Sequence, residues 1–351
     1  MSSFNLKIMS IAMTAALALS GCGGGGDGGS STAAHPAQPG NVVTQPPSNV
    51  PSAKPPQTTA PTPSYAADSM QAYAFARLNQ LRSAIGVGML EQDTKLDTSA
   101  QAHAQYLWTN LASGQLTALS HDELANLPGF YGATSAERAL RAGVGKETAI
   151  GEVVAEGYPQ LSPQSYADDC VIQFYNTIYH LEVLTYSSER VGFGFQQGRE
   201  GYPNYSCVVD TGTDSGQWIS ERDVVHVPYA DETDVASTMH VESPNPAPDL
   251  ATPGRPIMVK VNAASGNVLT VSNFQLVDNT GAQVPARILV NDKAAAASKA
   301  TVQPDPKVWQ GVAFLLPLQP LKPNTTYTVT FAGERDATPM NTTWSFTTAA
   351  K

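Results

Sequence analysis

The chain has 351 residues, a formal net charge of -10 and three cysteines. With a pI near 5.0, this acidic balance excludes nucleic acid and anionic lipid headgroups as main partners, because an acidic surface repels both. The length suits more than one folded domain, and beyond the N-terminus no apolar stretch approaches membrane length.

The chain opens "MSSFNLKIMSIAMTAALALSGCGGGG". A polar start with Lys7 precedes an apolar run from Ile8 to Leu19, too short for a comfortable membrane span, and this predicts an export signal. Leu19-Ser20-Gly21-Cys22 resembles a bacterial lipobox, so residues 1–22 are expected to be a lipoprotein signal with Cys22 acylated. The other reading is an ordinary secretory signal with an incidental cysteine. Two or more acyl chains hold a protein on a membrane, whereas one is marginal. Gly23, in place of an aspartate, points to onward sorting to an outer membrane where the cell has one. Residues 23–64 are mostly Gly, Ser, Thr, Pro, Gln and Ala, which cannot bury enough apolar surface to offset the entropy of ordering. They are expected to form a disordered tether reaching on the order of 100 Å at about 3 Å per residue.

Residues 65–213 begin with helices. In "ADSMQAYAFARLNQLRSAIG", Met70, Tyr73, Ala74, Leu78, Leu81 and Ile85 follow helical spacing, with Asp68 as cap and Gly86 as stop. A second helix covers "TKLDTSAQAHAQYLWTNLAS", with His103 on its apolar face, where packing explains it. "SAERALRAG" is a third, ended by Gly143. A fourth runs through "LSPQSYADDCVIQFYNTIYH", with Ser162 as cap and Pro163 at its first position. Two alternating runs follow, "RVGFGFQQG" and "YSCVVDTG", joined by "QGREGYPN" as a hairpin. Helices first and an antiparallel pair last predict an α+β domain.

Cys170 lies on the fourth helix and Cys207 in the last strand. If that helix packs on that sheet the two can bridge, closing a loop of about 37 residues and stabilising the fold by roughly 4 kcal/mol in the chain-entropy model. Two buried free thiols are the other reading; an oxidising compartment favours the bridge.

Residues 217–348 change character. A stretch of β-branched residues and prolines leads into "IMVKVN", "LTVSNFQLVDNTGAQV", "ARILVN", "VAFLLPLQPLKPNTTYTVTFAGE" and "TTWSFTTA", short alternating runs that predict a β-sandwich. Tyr327, Val329, Trp344 and Phe346 are expected to share its core. "VNDKAAAASKATVQPDP" is expected to be a loop or short helix. His226 and His240 fall in extended segments with no role expected. The elements "FQLVDNTGAQV", "PLKPNTTYTVTFAG" and "WSFTT" resemble bacterial Ig-like domains, which implies a spacer or docking surface.

"LNQLRSAIGVGMLEQDTKLDTSAQAHAQYL" resembles the opening of the CAP domain shared by cysteine-rich secretory proteins, antigen 5 and pathogenesis-related protein 1. The later pieces "LSHDE", "IGEVVAEG", "FYNTIYHLEVL" and "RVGFGF" agree in order. The resemblance implies an α-β-α sandwich and a cleft bearing two histidines and two acids. Residue by residue it places His121 and His180 as the histidines and Glu152 as one acid. The second acid falls on Thr177, and Gly-Glu-Asn has become Gly151-Glu152-Val153, so Asp122 is the expected substitute. Asp122, Glu123 and Thr177 are then expected on the rim.

Two histidines and a carboxylate can hold zinc or another divalent cation with one position open for water. A histidine beside a glutamate can equally act as an acid–base pair without metal. The spacing of about 30 residues between members carries no local ligand signature. Three readings follow. One is a lipid-anchored envelope protein binding a lipid, peptide or envelope component in the His121, Glu152, His180 cleft; the others are a metal-assisted hydrolase of peptide or envelope polymer, and an adhesive module with a vestigial cleft.

Overall fold

A computed structural model describes residues 54–198 and 203–350. The expected export signal, Cys22 and the expected tether as far as residue 53 lie outside the described residues. The first part of the fold contains α1 (Met70–Ile85), β1 (Glu91–Gln92), α2 (Thr94–Ala112), α3 (Ser135–Arg141), β2 (Ala149–Gly157), α4 (Pro163–Tyr175), α5 (Tyr179–Leu184), β3 (Arg190–Gln197) and β4 (Tyr205–Thr213). The strands form one sheet in the order β1-β3-β4-β2, with β1 parallel to β3 and the others antiparallel.

Helix ends follow side-chain chemistry. Ser69, rather than Asp68, caps α1 by accepting from the Ala72 amide, and Gly86 closes that helix in the left-handed conformation at φ 87°, where a Cβ would be strained. Ser162 and Ser165 form a reciprocal capping box at α4, with Pro163 in its first turn. The helix expected to run on to His180 instead breaks at Asn176, and His180 belongs to α5.

The sheet has helices on both faces. Gly192 and Gly194 face α2, and a Cβ at Gly194 would lie 2.1 Å from the Ala100 carbonyl oxygen. Glycine is thus what lets the helix approach the sheet so closely. On the opposite face Val191, Phe193 and Phe195 join Leu78, Phe174 and Val171 in one buried core. Cys170 and Cys207 pair there across helix and strand, with Cα atoms 6.3 Å apart. The β2 strand was not foreseen in the sequence.

The second part is β-rich. It contains β5 (Val224–Val227), β6 (Glu232–Val235), β7 (Ile257–Val261), β8 (Leu269–Asp278), β9 (Ala286–Val290), α6 (Asp292–Ala295), β10 (Gln303–Pro304), β11 (Val312–Pro317), β12 (Thr326–Arg335) and β13 (Thr338–Thr348). Two sheets form, β10-β9-β11-β7-β5 and β6-β13-β12-β8. Tyr327, Val329, Trp344 and Phe346 share the core between them with Val259 and Leu276. Alternation puts the other side of β7 and β11 to a different use. Met258, Phe314 and Leu316 join the core of Leu78 and Phe174, so a single apolar interior runs through both parts. Each such fully buried side chain contributes about 1.5–3 kcal/mol.

Residues 54–64, expected to belong to a disordered tether, are instead hydrogen-bonded to the fold. Lys54 bridges to Gln217, its amide donating to the Gly216 carbonyl and its carbonyl accepting from the Trp218 amide. The Gln57 carbonyl accepts from the Met89 amide, and the Ser64 amide and hydroxyl both donate to Gln92. Backbone hydrogen bonds therefore hold residues 54–64 to the fold despite their polar composition. Among the described residues no helix is long and apolar enough to cross a membrane.

Candidate functional site

The polar triplet His121-Asp122-Glu123 follows α2 on a loop, and its members have three different fates. His121 is half exposed at its side chain (52 %), and its Nδ1 lies 2.9 Å from Oε1 of Glu152 on β2. Asp122 is exposed. Glu123, expected on the rim, is instead fully buried. Its Oε1 meets Nδ1 of His103 at 2.9 Å, and its Oε2 accepts from the Tyr131 and Gly132 amides. The correction has a physical cause, since a carboxylate with three donors around it can leave water.

Arg138 of α3 is the cation of this wall and is fully buried. Its Nη2 donates to Oε2 of Glu152 at 2.6 Å and to the His121 carbonyl at 2.9 Å, while its Nε lies 3.8 Å from Glu123. Burial works against ionising Glu152, but the His121 hydrogen bond and the charges of His103 and Arg138 outweigh it. They hold this carboxyl well below its ordinary range. Asp210, its cross-strand neighbour on β4, goes the other way, because burial and the Glu152 charge push it well up. His103 does not line the cleft; besides Glu123 on Nδ1, its Nε2 contacts the Ser120 carbonyl at 3.0 Å.

The second wall comes from α5 and from the chain beyond the first sheet. His180 is 17 % exposed at its side chain, and its Nδ1 lies 3.3 Å from Oε2 of the fully buried Glu242. That contact is within ion-pair range but is not aligned as a hydrogen bond. Glu242 instead accepts from the amides of Ile178, Tyr179 and His180, at 2.7, 3.0 and 3.4 Å. These are the free amides at the start of α5, which has no cap of its own. Burial drives the Glu242 carboxyl up to about 7 against these three bonds. Burial, and then the neighbouring His121 and His240, lower His180 to about 4.

Between the walls lies a hollow of about 420 Å³, bordered by His121, His180 and His240 and by apolar Leu119, Val154 and Phe174. That size is typical of small-ligand sites. Thr177 borders it but is buried, its hydroxyl donating to the Phe174 carbonyl. The structure thus brings His121 and His180 to one hollow, with Glu152 behind the first rather than in the lining. Asp122 is absent from the lining, and the acid beside His180 is Glu242. His240, expected to have no role, is a third histidine at the hollow, its amide donating to the Asn176 carbonyl.

A divalent cation does not fit the expected set. Both Glu152 oxygens are engaged, one by His121 and one by Arg138. Among the described residues no group of three His, Cys, Asp or Glu side chains is placed to hold a metal ion.

Sequence reasoning missed Arg138, Glu242 and His240. Arg138 had only a faint signal, a cation in a short helix that lies between Glu123 and Glu152 in the sequence. Glu242 had none, because its partners are about 60 residues away and are backbone amides.

No curated protein matches the chain. Residues 75–209 match the model of CAP, the cysteine-rich secretory protein family, and this part of the chain is a CAP domain.

Proposed function

We propose that the protein is an exported, lipid-anchored envelope protein whose CAP domain captures a ligand in the two-histidine hollow and holds it without turnover. One observation carries this reading: two of the imidazoles at the hollow, His121 and His180, are each backed on the Nδ1 side by a buried glutamate. An ionised Glu152 accepts a hydrogen bond from Nδ1–H of His121, which in the neutral ring leaves Nε2 as an acceptor. The ligand that suits such a site has hydroxyl or amide donors beside an apolar portion to lie on Leu119, Val154 and Phe174. Envelope peptides and hydroxylated lipids share that chemistry. The β-rich region reads as an Ig-like sandwich whose part is to complete the hollow through Glu242 and His240.

Anchoring rests on the "LSGC" run and the apolar segment before it. Equilibrium dialysis of the full chain against a labelled muropeptide, and flotation with phosphatidylcholine vesicles carrying monoacylglycerol or sterol, test the ligand reading. At least one probe is retained, and His121→Ala and His180→Ala each lower retention at least about tenfold. Retention of none, or equal retention by the variants, overturns it. Release of a cleaved product, lost in Glu152→Gln, would replace capture with acid–base hydrolysis by the His121–Glu152 pair.

A further inference from the structure

A second cleft, of about 500 Å³, lies where the β2 and β4 ends of the CAP domain meet β7 and β11 of the β-rich region. Three aromatic rings line it. Tyr186 stands edge-on to Trp309, with centroids 4.8 Å apart, and to Trp218, with centroids 6.1 Å apart. The exposed residues Gly266 and Pro306 at its margin leave it open to solvent.

Among these rings sits one charged side chain, Lys260 of β7, which is 6 % exposed. Its Nζ donates to the Thr185 carbonyl and lies 5.6 Å from the centre of the Tyr186 ring. No carboxylate is within ion-pair distance of Nζ among the described residues. An ammonium has three donors, and a buried one is costly without an anion. Burial, the largest influence, acts with the Arg82 charge of α1 to disfavour the charge on Lys260; together they outweigh Glu182 of α5, which favours it, and lower its pKa to about 7. Glu182 is itself buried, pushed up by that burial, and accepts from the Trp309 amide.

We propose that this cleft is a second ligand site, specific for a small organic carboxylate with a flat ring, the ring lying among Tyr186, Trp218 and Trp309 and the carboxylate pairing with Lys260. The size suits one such molecule. The carboxylate supplies the counter-charge that Lys260 lacks, and the rings supply apolar and edge-to-face contact.

Calorimetric titration of the full chain with phenylacetate, and with phenylacetamide as its uncharged counterpart, tests this. Phenylacetate gives saturable one-site heat, and the amide binds at least about tenfold more weakly. Lys260→Met, which keeps the apolar stem, removes that preference, whereas His121→Ala leaves it intact and so separates this cleft from the hollow. A second measurement needs no variant. Pairing raises the lysine pKa, so at about pH 8 the wild-type complex takes up close to one proton, read from heats in buffers of different ionisation enthalpy. Absence of saturable heat, equal affinity for acid and amide, an unchanged preference in Lys260→Met, or no proton uptake would each overturn the proposal.

Discussion

The two walls of the hollow use the same side chain in opposite ways. Glu152 and Glu242 are both buried glutamates beside a histidine. Glu152 accepts from His121, has the Arg138 guanidinium at 2.6 Å and is held far down its range, whereas Glu242 accepts hydrogen bonds only from backbone amides and rises to about 7. Burial alone therefore does not decide the charge of a carboxyl; the identity of its donors does. One wall carries a fixed anion near neutrality, and the other carries an acid poised to gain or lose its proton.

The sharpest way to break this contrast is Arg138→Met. It strands Glu152 and Glu123 in the interior without their cation, which costs about 3–5 kcal/mol in urea unfolding. A loss below about 1 kcal/mol would show that Arg138 does not set the difference between the walls. Next comes Glu242→Ala, which leaves the amides of Ile178, Tyr179 and His180 without their acceptor. A loss of about 2–3 kcal/mol is expected, with faster hydrogen exchange confined to the start of α5.

A pH series sharpens the contrast further. His180 is lowered from 6.5 to about 4, so its contribution to stability is complete above 6.5 and is lost as pH falls through about 4. Glu242 is raised from 4.5 to about 7, so its contribution is complete below 4.5 and is lost as pH rises through about 7. Among the groups that titrate between these limits the two contribute opposing slopes, and the difference between the wild type and Glu242→Gln isolates the second. Imidazole resonances that show His180 protonated at pH 6 would contradict the assignment. The smallest effect on stability belongs to His121→Ala, about 0.5 kcal/mol or less because the ring is half exposed, although this variant is expected to abolish capture.

Much of the CAP domain was legible because its helices carry their own signals. Ser162 with Pro163, Gly86, and the alternating Val191, Phe193 and Phe195 are local features that tertiary packing did not override. The strand bearing Glu152 was missed for a physical reason: Val153, Val154 and Ala155 are all buried in succession, so β2 shows no alternation even at the sheet edge. Glu123 was misread because a His-Asp-Glu run has the composition of a solvated loop, and only its distant partners His103 and Arg138 explain its burial. Asn176 broke a helix that periodicity had continued. Glu242 recognises amide groups, which every residue possesses, so no spacing in the chain announces it.

Dependence on residue 242 has a consequence for synthesis. Domains generally fold from the N-terminus as the chain emerges, and a nascent chain that has reached residue 213 already holds Cys170 and Cys207, the first sheet and His121. It still lacks the acceptor for the start of α5 and the apolar side chains that close the shared interior. On the proposed capture function, binding competence is accordingly the last property the polypeptide acquires, and the hollow stays unformed until the molecule is whole.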